Sequence, residues 1–348
     1  MRLEEFDYYL PPELIAQEPV EPRDASRLLV LDRRASTAGH HRFRELPRFL
    51  RKGDILVFND TRVIPARLRV RRRDTGGQAE LLLLRPLSAE EGGRQAWEVL
   101  GRPARRLRPG ARLVCERGQL EAVVTESLPE GLRRVELGWD PEVSLAQVLE
   151  LVGEVPLPPY IHRPLRDGER YQTVYARRPG SAAAPTAGLH FTPGLLEALR
   201  HAGVQLCYLT LHVGLGTFRP LRTEKVEEAR LHPEFYRVDE QAADSINAAR
   251  RQGGRVVAVG TTVVRTLETV AAPEGEVRAG EGWTDLFIYP GYRFRVVDAL
   301  VTNFHLPRSS LLLLVCALGG TERVLSAYRE AVRERYRFYS FGDAMLIL

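Results

Sequence analysis

The second half of the chain alternates short apolar, β-rich runs with segments of helical periodicity. Strands are predicted at residues 204–211, 256–259, 283–289 and 299–302, and helices at 239–252, 263–270, 309–318 and 321–335. This alternation predicts an α/β fold built on a mostly parallel sheet with flanking helices. Ligands of such sheets bind at the loops beyond the carboxyl ends of the strands.

A stretch of different texture interrupts the first half. From residue 66 to 139 the chain consists of short alternating or apolar runs separated by Gly-Gly, Pro-Gly and Glu-Gly turns, which is typical of an all-β barrel. The 348 residues also exceed the roughly 250–300 that one core usually holds. We therefore expect a discontinuous α/β domain at 1–62 and 153–348, with an inserted β-barrel domain at 63–152.

Positive charge is concentrated in the segment predicted as a barrel. The net charge is +5, and residues 60–136 hold 16 arginines against 11 carboxylates, a surplus of 5. Only two lysines occur, so the charge is almost all guanidinium, which binds phosphate in bidentate fashion. Arginine-rich codon usage or heat adaptation would explain arginine over lysine, though not the clustering. The pattern favours a polyanionic partner.

Several classes of protein find no support. The three cysteines stand far apart, and no two histidines have the helical spacing of a metalloprotease, so we expect neither disulfides nor a metal. The longest apolar run, 311–318, is far short of the ~20 residues that cross a bilayer. The first residues lack a signal-peptide pattern, so we expect a cytoplasmic protein without membrane association.

Two glycines follow the strand predicted at 204–211. Gly214 and Gly216 would let a ligand approach the backbone closely, because glycine has no side chain. Phe218 follows just beyond them. A dinucleotide fingerprint needs a third glycine where Arg219 stands, and neither lysine fits a P-loop, so nicotinamide and P-loop enzymes are disfavoured.

A second strand end carries Gly260, Thr261 and Thr262, followed by Arg265. The start of a helix at this point offers free N–H groups to a carboxylate or phosphate. The alternative is that one threonine simply caps the helix.

Three histidines lie in loops beside or near aromatic residues: His190 next to Phe191, His212 before Phe218, and His305 next to Phe304. Histidine suits proton transfer near neutral pH, and a flat aromatic ring can stack on a base. A lone histidine is more often structural, but three such loops in one α/β portion strengthen a catalytic interpretation.

Ordered motifs run along nearly the whole chain, at residues 6–11, 15–17, 23–29, 58–68, 153–161, 170–176 and 339–346, together with the loops at His190, His212, Gly260 and His305. In these motifs the chain closely resembles the S-adenosylmethionine:tRNA ribosyltransferase-isomerase family of queuosine biosynthesis. The least matched stretch, 66–139, is where the barrel is predicted.

The resemblance implies a tRNA-modifying transferase-isomerase. Such an enzyme moves and rearranges the ribosyl part of S-adenosylmethionine onto 7-aminomethyl-7-deazaguanine at the tRNA wobble position. The products are epoxyqueuosine, adenine and methionine. The implied partners are the tRNA anticodon stem-loop and S-adenosylmethionine as ribosyl donor, with no other cofactor and no stable protein partner, so we expect a monomer.

Candidate residues follow from the loops and the matched motifs together. Proton transfer falls to His190, His212 and His305, without individual roles. Substrate binding is assigned to Asp24, Arg27, Asp60, Arg62, Gly214, Gly216, Phe218, Gly260, Thr261, Thr262, Arg265, Asp285, Asn303 and Asp343. Contacts to tRNA phosphates are assigned to Arg102, Arg105, Arg106 and Arg108.

Two alternatives belong to other classes. A non-catalytic RNA-binding protein would need only the basic barrel and would leave the Gly, Thr and His loops without a purpose. An S-adenosylmethionine-dependent RNA methyltransferase would release S-adenosylhomocysteine and no adenine.

Overall fold

The structure, a computed structural model, describes residues 1–34, 38–115, 118–165, 167–214, 221 and 223–348. The chain divides into two compact units. The first, the α/β unit, comprises Met1–Thr61, Pro158–Arg178 and Ala184–Leu348; the second, the barrel unit, comprises Arg62–Leu157 and Pro179–Ala183. The domain boundaries expected from the sequence, after residues 62 and 152, stay a prediction.

The secondary-structure elements have the following bounds. The strands are β1 (Arg27–Leu31), β2 (Ala38–Arg42), β3 (Ile55–Asn59), β4 (Thr61–Val63), β5 (Arg67–Arg72), β6 (Gln78–Pro86), β7 (Arg94–Arg102), β8 (Arg112–Cys115), β9 (Leu120–Ser127), β10 (Leu132–Trp139), β11 (Gly153–Glu154), β12 (Arg178–Ser181), β13 (Gln205–Leu211), β14 (Glu234–Val238), β15 (Val256–Val259), β16 (Gly280–Thr284), β17 (Ala299–Asn303) and β18 (Ala344–Ile347). The α-helices are α1 (Leu145–Val152), α2 (Pro193–His201), α3 (Glu240–Arg251), α4 (Thr261–Val270), α5 (Ser310–Gly319) and α6 (Thr321–Arg333).

The α/β unit contains a large mixed sheet. In the described part of the chain its order is β16-β14-β13-β3-β15-β17-β18-β1-β2. The pairs β13–β3, β3–β15, β15–β17 and β18–β1 are parallel, whereas β16–β14, β14–β13, β17–β18 and β1–β2 are antiparallel. The expected α/β class with flanking helices is therefore correct, but the expectation of a mostly parallel sheet is wrong.

The connections explain this difference. Parallel neighbours need a crossover, which α4 helps to supply between β15 and β17. Helix α3 connects β14 to β15, which are not adjacent in the sheet. Two helices separate β17 from β18, and they are bent by 115° from each other. The chain therefore re-enters the sheet in the opposite direction. Strand β2 begins only seven residues after the end of β1 and pairs with it in antiparallel fashion.

Burial explains why the central strands form. Every residue of β3, β15 and β17 is buried, which suits strands covered on both faces by other elements. The helices begin at side-chain caps: Thr192 caps α2, Asp239 caps α3 and Ser309 caps α5, each accepting a backbone N–H bond from the first turn.

The barrel unit closes on itself, as predicted from its turns. Strands β5, β6, β7, β10, β9 and β8 are hydrogen-bonded in that order, and an additional β5–β8 pairing joins the ends. Along β9 and β10 buried and more exposed residues alternate, so one face of each strand fills the interior. Helix α1 begins at a capping box formed by Ser144 and Gln147.

Within the described residues, no single helix is both long and apolar enough to cross a membrane. Helices α5 and α6 meet that length and composition criterion only when counted together as a bent pair.

Candidate active site

A chamber lies where the central strands of the α/β unit end. Its walls come from the residues that follow β13, β15 and β17, from the start of α5, and from the segment before β18. Its volume, with the open mouth included, is about 650 Å³. The lining residues are Tyr160, Ala184, Pro185, Thr186, Ala187, Val213, Gly260, Thr261, Thr262, Thr302, Asn303, Phe304, His305, Leu306, Ser309, Leu311, Tyr339 and Ser340. This is the position at which α/β sheets bind ligands.

The chamber is polar but almost without charge. Among its described lining residues there is no Asp, Glu, Lys or Arg; hydroxyl groups, one amide and the imidazole of His305 supply the polarity. The start of α4 faces it, and Gly260, which precedes this helix at φ 93°, makes no side-chain cap. The first-turn N–H groups of α4 are therefore available to an anion.

Asn303, at the end of β17, joins three segments of the chamber wall. Its Oδ1 accepts a hydrogen bond of 2.9 Å from Thr186 Oγ1. Its Nδ2 lies 3.2 Å from His190 Nε2 and donates a 3.1 Å bond to the carbonyl oxygen of Tyr339. Because the oxygen of this amide accepts and its nitrogen donates, the three bonds require one orientation of the side chain.

His190 is held in a single neutral form. Since Asn303 Nδ2 donates to Nε2, that ring nitrogen is unprotonated, and Nδ1 carries the proton at 2.7 Å from Ser26 Oγ. The ring stacks on Phe43 with centroids 4.8 Å apart and is 5 % exposed. Burial, with the nearby positive charges of Arg337 and Arg23, lowers the pKa of His190 to about 3.

His305 and His212 each keep one ring nitrogen free of hydrogen bonds to the described residues. His305 Nε2 lies 2.7 Å from Thr302 Oγ1, and burial lowers the pKa of its imidazole to about 3. His212, beyond the end of β13, has Nδ1 at 2.8 Å from Thr61 Oγ1. Burial lowers the pKa of His212 to about 4, against the opposing effect of the Asp60 carboxylate. Both imidazoles are therefore neutral bases at physiological pH.

The end of β3 supports the chamber from behind. Asn59 Nδ2 donates to Thr262 Oγ1 at 3.3 Å and to the carbonyl oxygen of Leu211 at 2.9 Å. Asp60, 1 % exposed, accepts bonds from Thr210 Oγ1 at 2.6 Å and Arg177 Nε at 2.7 Å. Asp60 therefore connects the end of β3 to β13 and to the segment that contains Arg177.

Two tyrosines of the chamber were missed by the sequence reasoning. Tyr160 and Tyr339 stack with centroids 4.5 Å apart, and Tyr339 has a positive φ of 70°. The only indication of these residues in the sequence was that both belong to matched motifs. Neither their stacking nor the backbone conformation of Tyr339 can be inferred from the neighbouring residues.

The structure brings some predicted residues together and places others elsewhere. Gly260, Thr261, Thr262, Asn303 and His305 line the chamber. Gly214 donates its N–H to Glu234 Oε1 at 2.8 Å, and Arg62, half-buried on β4, belongs to the barrel unit. Gly216 and Phe218 lie outside the described residues.

Two of the remaining charged candidates, Asp343 and Asp24, have structural contacts. Asp343 accepts bonds from the backbone N–H groups of Arg27 and Arg337, each at 2.8 Å. Burial raises the pKa of the Asp343 carboxyl. Asp24 accepts a bond from Thr192, and the exposed Asp285 follows β16. None of these carboxylates lines the chamber.

Arg265 is buried under the sheet edge. It forms an ion pair with the equally buried Glu234 and donates to the carbonyl oxygens of Leu286 and Thr284. The contacts made by its guanidinium are therefore internal, and it is not among the chamber residues.

The arginines predicted to contact tRNA lie at the end of β7 and just beyond it. Arg102, Arg105 and Arg108 are exposed and form no ion pair with any other described residue. Arg106 is half-buried and donates to the backbone oxygen of Gln78. By contrast, Arg73, Arg94 and Arg134, elsewhere on the barrel, pair with Glu121, Glu136 and Glu126.

The described residues contain no group of three or more His, Cys, Asp or Glu side chains that could hold a metal ion. All three cysteines are buried, and none forms a disulfide with another described residue. The expected absence of a metal stays a prediction.

The fold and the chamber define an α/β protein with a ligand site at its strand ends and a barrel inserted in its sequence. The chain belongs to the queuosine biosynthesis protein family, whose sequence profile it matches over residues 3–347. It is 59 % identical, over all of both chains, to the S-adenosylmethionine:tRNA ribosyltransferase-isomerase of Moorella thermoacetica, and 58 % identical over the same extent to that of Symbiobacterium thermophilum. The crystal structure of S-adenosylmethionine tRNA ribosyltransferase from Thermotoga maritima is similar, with 43 % identity, 99 % of this chain and 100 % of that one covered, and a TM-score of 0.55.

The buried neutral form of His190 predicts a pH-dependent stability. An unfolded histidine takes up a proton near its ordinary pKa of 6.5, whereas folded His190 does so only near 3. The contribution of neutral His190 to the free energy of unfolding is therefore fully present above about pH 6.5 and is lost as the pH falls toward 3. We expect His190→Gln to reduce the slope of unfolding free energy against pH by about 1.4 kcal/mol per pH unit between those values.

Urea unfolding followed by circular dichroism at several pH values measures this slope. His201→Gln, on an exposed histidine of α2, is the matched control and should keep the wild-type slope. Equal slopes for His190→Gln and the wild type would show that His190 is protonated in the folded protein.

Proposed function

We propose that this protein is a tRNA-modifying transferase-isomerase that consumes S-adenosylmethionine. It transfers the ribosyl part of S-adenosylmethionine to the amine of 7-aminomethyl-7-deazaguanine at the wobble position and rearranges it to give epoxyqueuosine. Adenine and methionine are released.

The observation that carries this proposal is the end-to-end identity to proteins with one named activity. Relatives at 51–59 % identity, each matched over the whole chain, are named S-adenosylmethionine:tRNA ribosyltransferase-isomerase. The chamber geometry supports it, since the described residues place hydroxyl groups, an amide and an imidazole around a nearly uncharged hollow.

The chamber offers distinct surfaces to the parts of S-adenosylmethionine. The uncapped start of α4, with Thr261 and Thr262, suits the methionine carboxylate. Free N–H groups and the positive end of the helix dipole attract a negative charge there. The stacked rings of Tyr160 and Tyr339 suit the sulfonium, because an aromatic face attracts a cation. No carboxylate in the described lining competes for that positive charge.

Proton transfer falls to the imidazoles that are neutral and not fully hydrogen-bonded. A sulfonium acidifies the neighbouring C5′ hydrogens, so a neutral histidine can remove one. Departure of adenine, attack by the tRNA amine and loss of methionine then complete the rearrangement. We assign these proton transfers to His305, which lines the chamber, and to His212, which precedes the lining residue Val213. The imidazole that removes the C5′ proton becomes a cation and can then donate that proton to the departing adenine. His190 we make a positioning residue, because both of its ring nitrogens are engaged.

The barrel supplies the contact to the tRNA backbone. Exposed guanidinium groups without a carboxylate partner are free to bind phosphate, and Arg102, Arg105 and Arg108 meet that condition among the described residues. The wobble base lies in a single-stranded loop, from which an enzyme can splay it out.

We further propose the cofactor requirement, the oligomeric state and the cellular location. S-Adenosylmethionine is the only small molecule that the reaction needs, so no further cofactor takes part. The enzyme works as a monomer in the cytoplasm, where tRNA and S-adenosylmethionine are both present.

A product assay tests the proposal. The protein is incubated with S-adenosylmethionine and tRNA bearing the aminomethyl base, and adenine and methionine should appear in equal amounts. His305→Ala and His212→Ala should each lower kcat by roughly 10²–10⁴. His201→Ala, on an exposed helix, is the control.

The alternatives give other products in the same assay. S-Adenosylhomocysteine without adenine would identify a methyltransferase. Binding of tRNA with no product of either kind would indicate a non-catalytic RNA-binding protein. Normal turnover in both histidine variants would overturn the assignment of proton transfer.

A salt titration tests the role of the barrel arginines. Replacing Arg102, Arg105 and Arg108 together by Gln removes up to three phosphate contacts. The slope of log affinity for tRNA against log salt concentration should become shallower by about 2, at ~0.7 for each contact in single-stranded RNA.

The control replaces Arg73, Arg94 and Arg134 by Gln, which removes the same charge from guanidinium groups already paired with carboxylates. An equal change of slope in both triple variants would mean that net charge, and not these three positions, governs tRNA binding.

A further inference from the structure

A second hollow of the α/β unit adjoins the chamber. It is an open groove between residues 7–10 near the N-terminus and Leu306, Pro307 and Tyr339, with a volume of about 950 Å³ when its open side is included. Leu306 and Tyr339 line both hollows, so these two residues form a shared wall. A molecule lying in the groove therefore lies next to a molecule in the chamber.

The shared wall carries a polar group that pairs with no described residue. Tyr339 is 6 % exposed, and its hydroxyl oxygen has no hydrogen-bond partner among the described residues. A buried hydroxyl left unpaired costs roughly 1–3 kcal/mol. Its backbone also has a positive φ of 70°, which is unfavourable for a tyrosine. A ligand in the groove could supply the partner that this hydroxyl lacks.

The outer side of the groove carries an exposed aromatic ring on a well-anchored segment. Tyr9 is 80 % exposed. On one side of it, Tyr8 packs edge-on against Tyr328 with centroids 5.2 Å apart and donates its hydroxyl hydrogen to the backbone oxygen of His305. Asp7 forms a 2.5 Å ion pair with Arg308. The ring of Tyr9 is therefore exposed to solvent, while the contacts of Tyr8 and Asp7 anchor the segment that carries it.

We propose that this groove binds the splayed target nucleobase of the RNA substrate, stacked on Tyr9, with the Tyr339 hydroxyl hydrogen-bonded to it at the shared wall. The inference rests on the proposed function, in which an amine on a nucleobase must reach S-adenosylmethionine in the chamber. An aromatic face stacks on any base and holds it without sequence readout.

Charge supports this occupant over others. The one carboxylate of the groove, Asp7, is neutralised by Arg308, so it does not repel the RNA backbone. The carboxylate of S-adenosylmethionine is expected to bind at the start of a helix. The chamber contains such a position, the start of α4, whereas the groove residues do not include the start of an α-helix.

Steady-state kinetics on the full-length protein test the proposal, with S-adenosylmethionine and modified tRNA varied in turn. Tyr9→Leu keeps an apolar side chain but loses the π face, so the KM for tRNA should rise about tenfold while the KM for S-adenosylmethionine is unchanged. Tyr9→Phe should recover most of that loss. Leu151→Ala, which truncates an exposed residue of the barrel unit, is the control and should change neither KM.

Tyr339→Phe tests the hydroxyl at the wall. It removes one oxygen that has no partner in the described part of the chain, so the thermal midpoint should not fall, while kcat/KM for tRNA should drop about tenfold. If Tyr9→Leu left the KM for tRNA unchanged, or raised the KM for S-adenosylmethionine instead, the groove assignment would be wrong. The proposed function would still hold in that case, provided that the wild-type protein releases adenine. Absence of adenine from the wild type would contradict the proposed function itself.

Discussion

The side-chain amide of Asn303 is the contact on which the chamber depends. With one oxygen and one nitrogen it binds Thr186, His190 and the backbone of Tyr339. These partners come from two separate parts of the chain, the segment Thr186–His190 and Tyr339, and His190 is 113 residues away from Asn303. Because the amide sits at the end of a fully buried strand, each of its bonds fixes a loop to the rigid centre of the sheet. The chamber wall is therefore set by the sheet and not by the loops themselves.

The neutrality of this network matters for the chemistry. His190 is uncharged, and the described lining has no carboxylate or guanidinium. In the proposed complex the sulfonium would have no counter-ion among the described lining residues, so its positive charge would act on its own C–H bonds. Burial also holds His305 and His212 in the unprotonated form that can take a proton. A site of this kind would also protect a reactive intermediate from water.

Sequence patterns anticipated the architecture where they depend on local periodicity. Short alternating or apolar runs with glycine turns between them predicted the barrel, and in the structure burial alternates along β9 and β10. The apolar runs that became β13, β15 and β17 predicted the strands that end at the chamber. Strand direction was predicted less well. It depends on connections, such as the paired helices before β18, whose geometry leaves no periodic signal.

For the site, the glycine and threonine pattern at 260–262 correctly marked a helix start facing the chamber. Charged residues were harder to interpret. Arg265 and Glu234 lie 31 positions apart, and nothing in either neighbourhood shows that they form a buried pair. The positive φ of Tyr339 is likewise a result of tertiary packing, since a tyrosine does not favour it.

The most direct test of this account is a crystal structure of the protein with S-adenosylmethionine, in the absence of tRNA. It should show the ligand inside the chamber, its carboxylate at the start of α4 and its sulfonium beside Tyr160 and Tyr339, with the three hydrogen bonds of Asn303 intact. A ligand bound elsewhere, or an Asn303 amide turned away from His190 to contact the ligand, would contradict it.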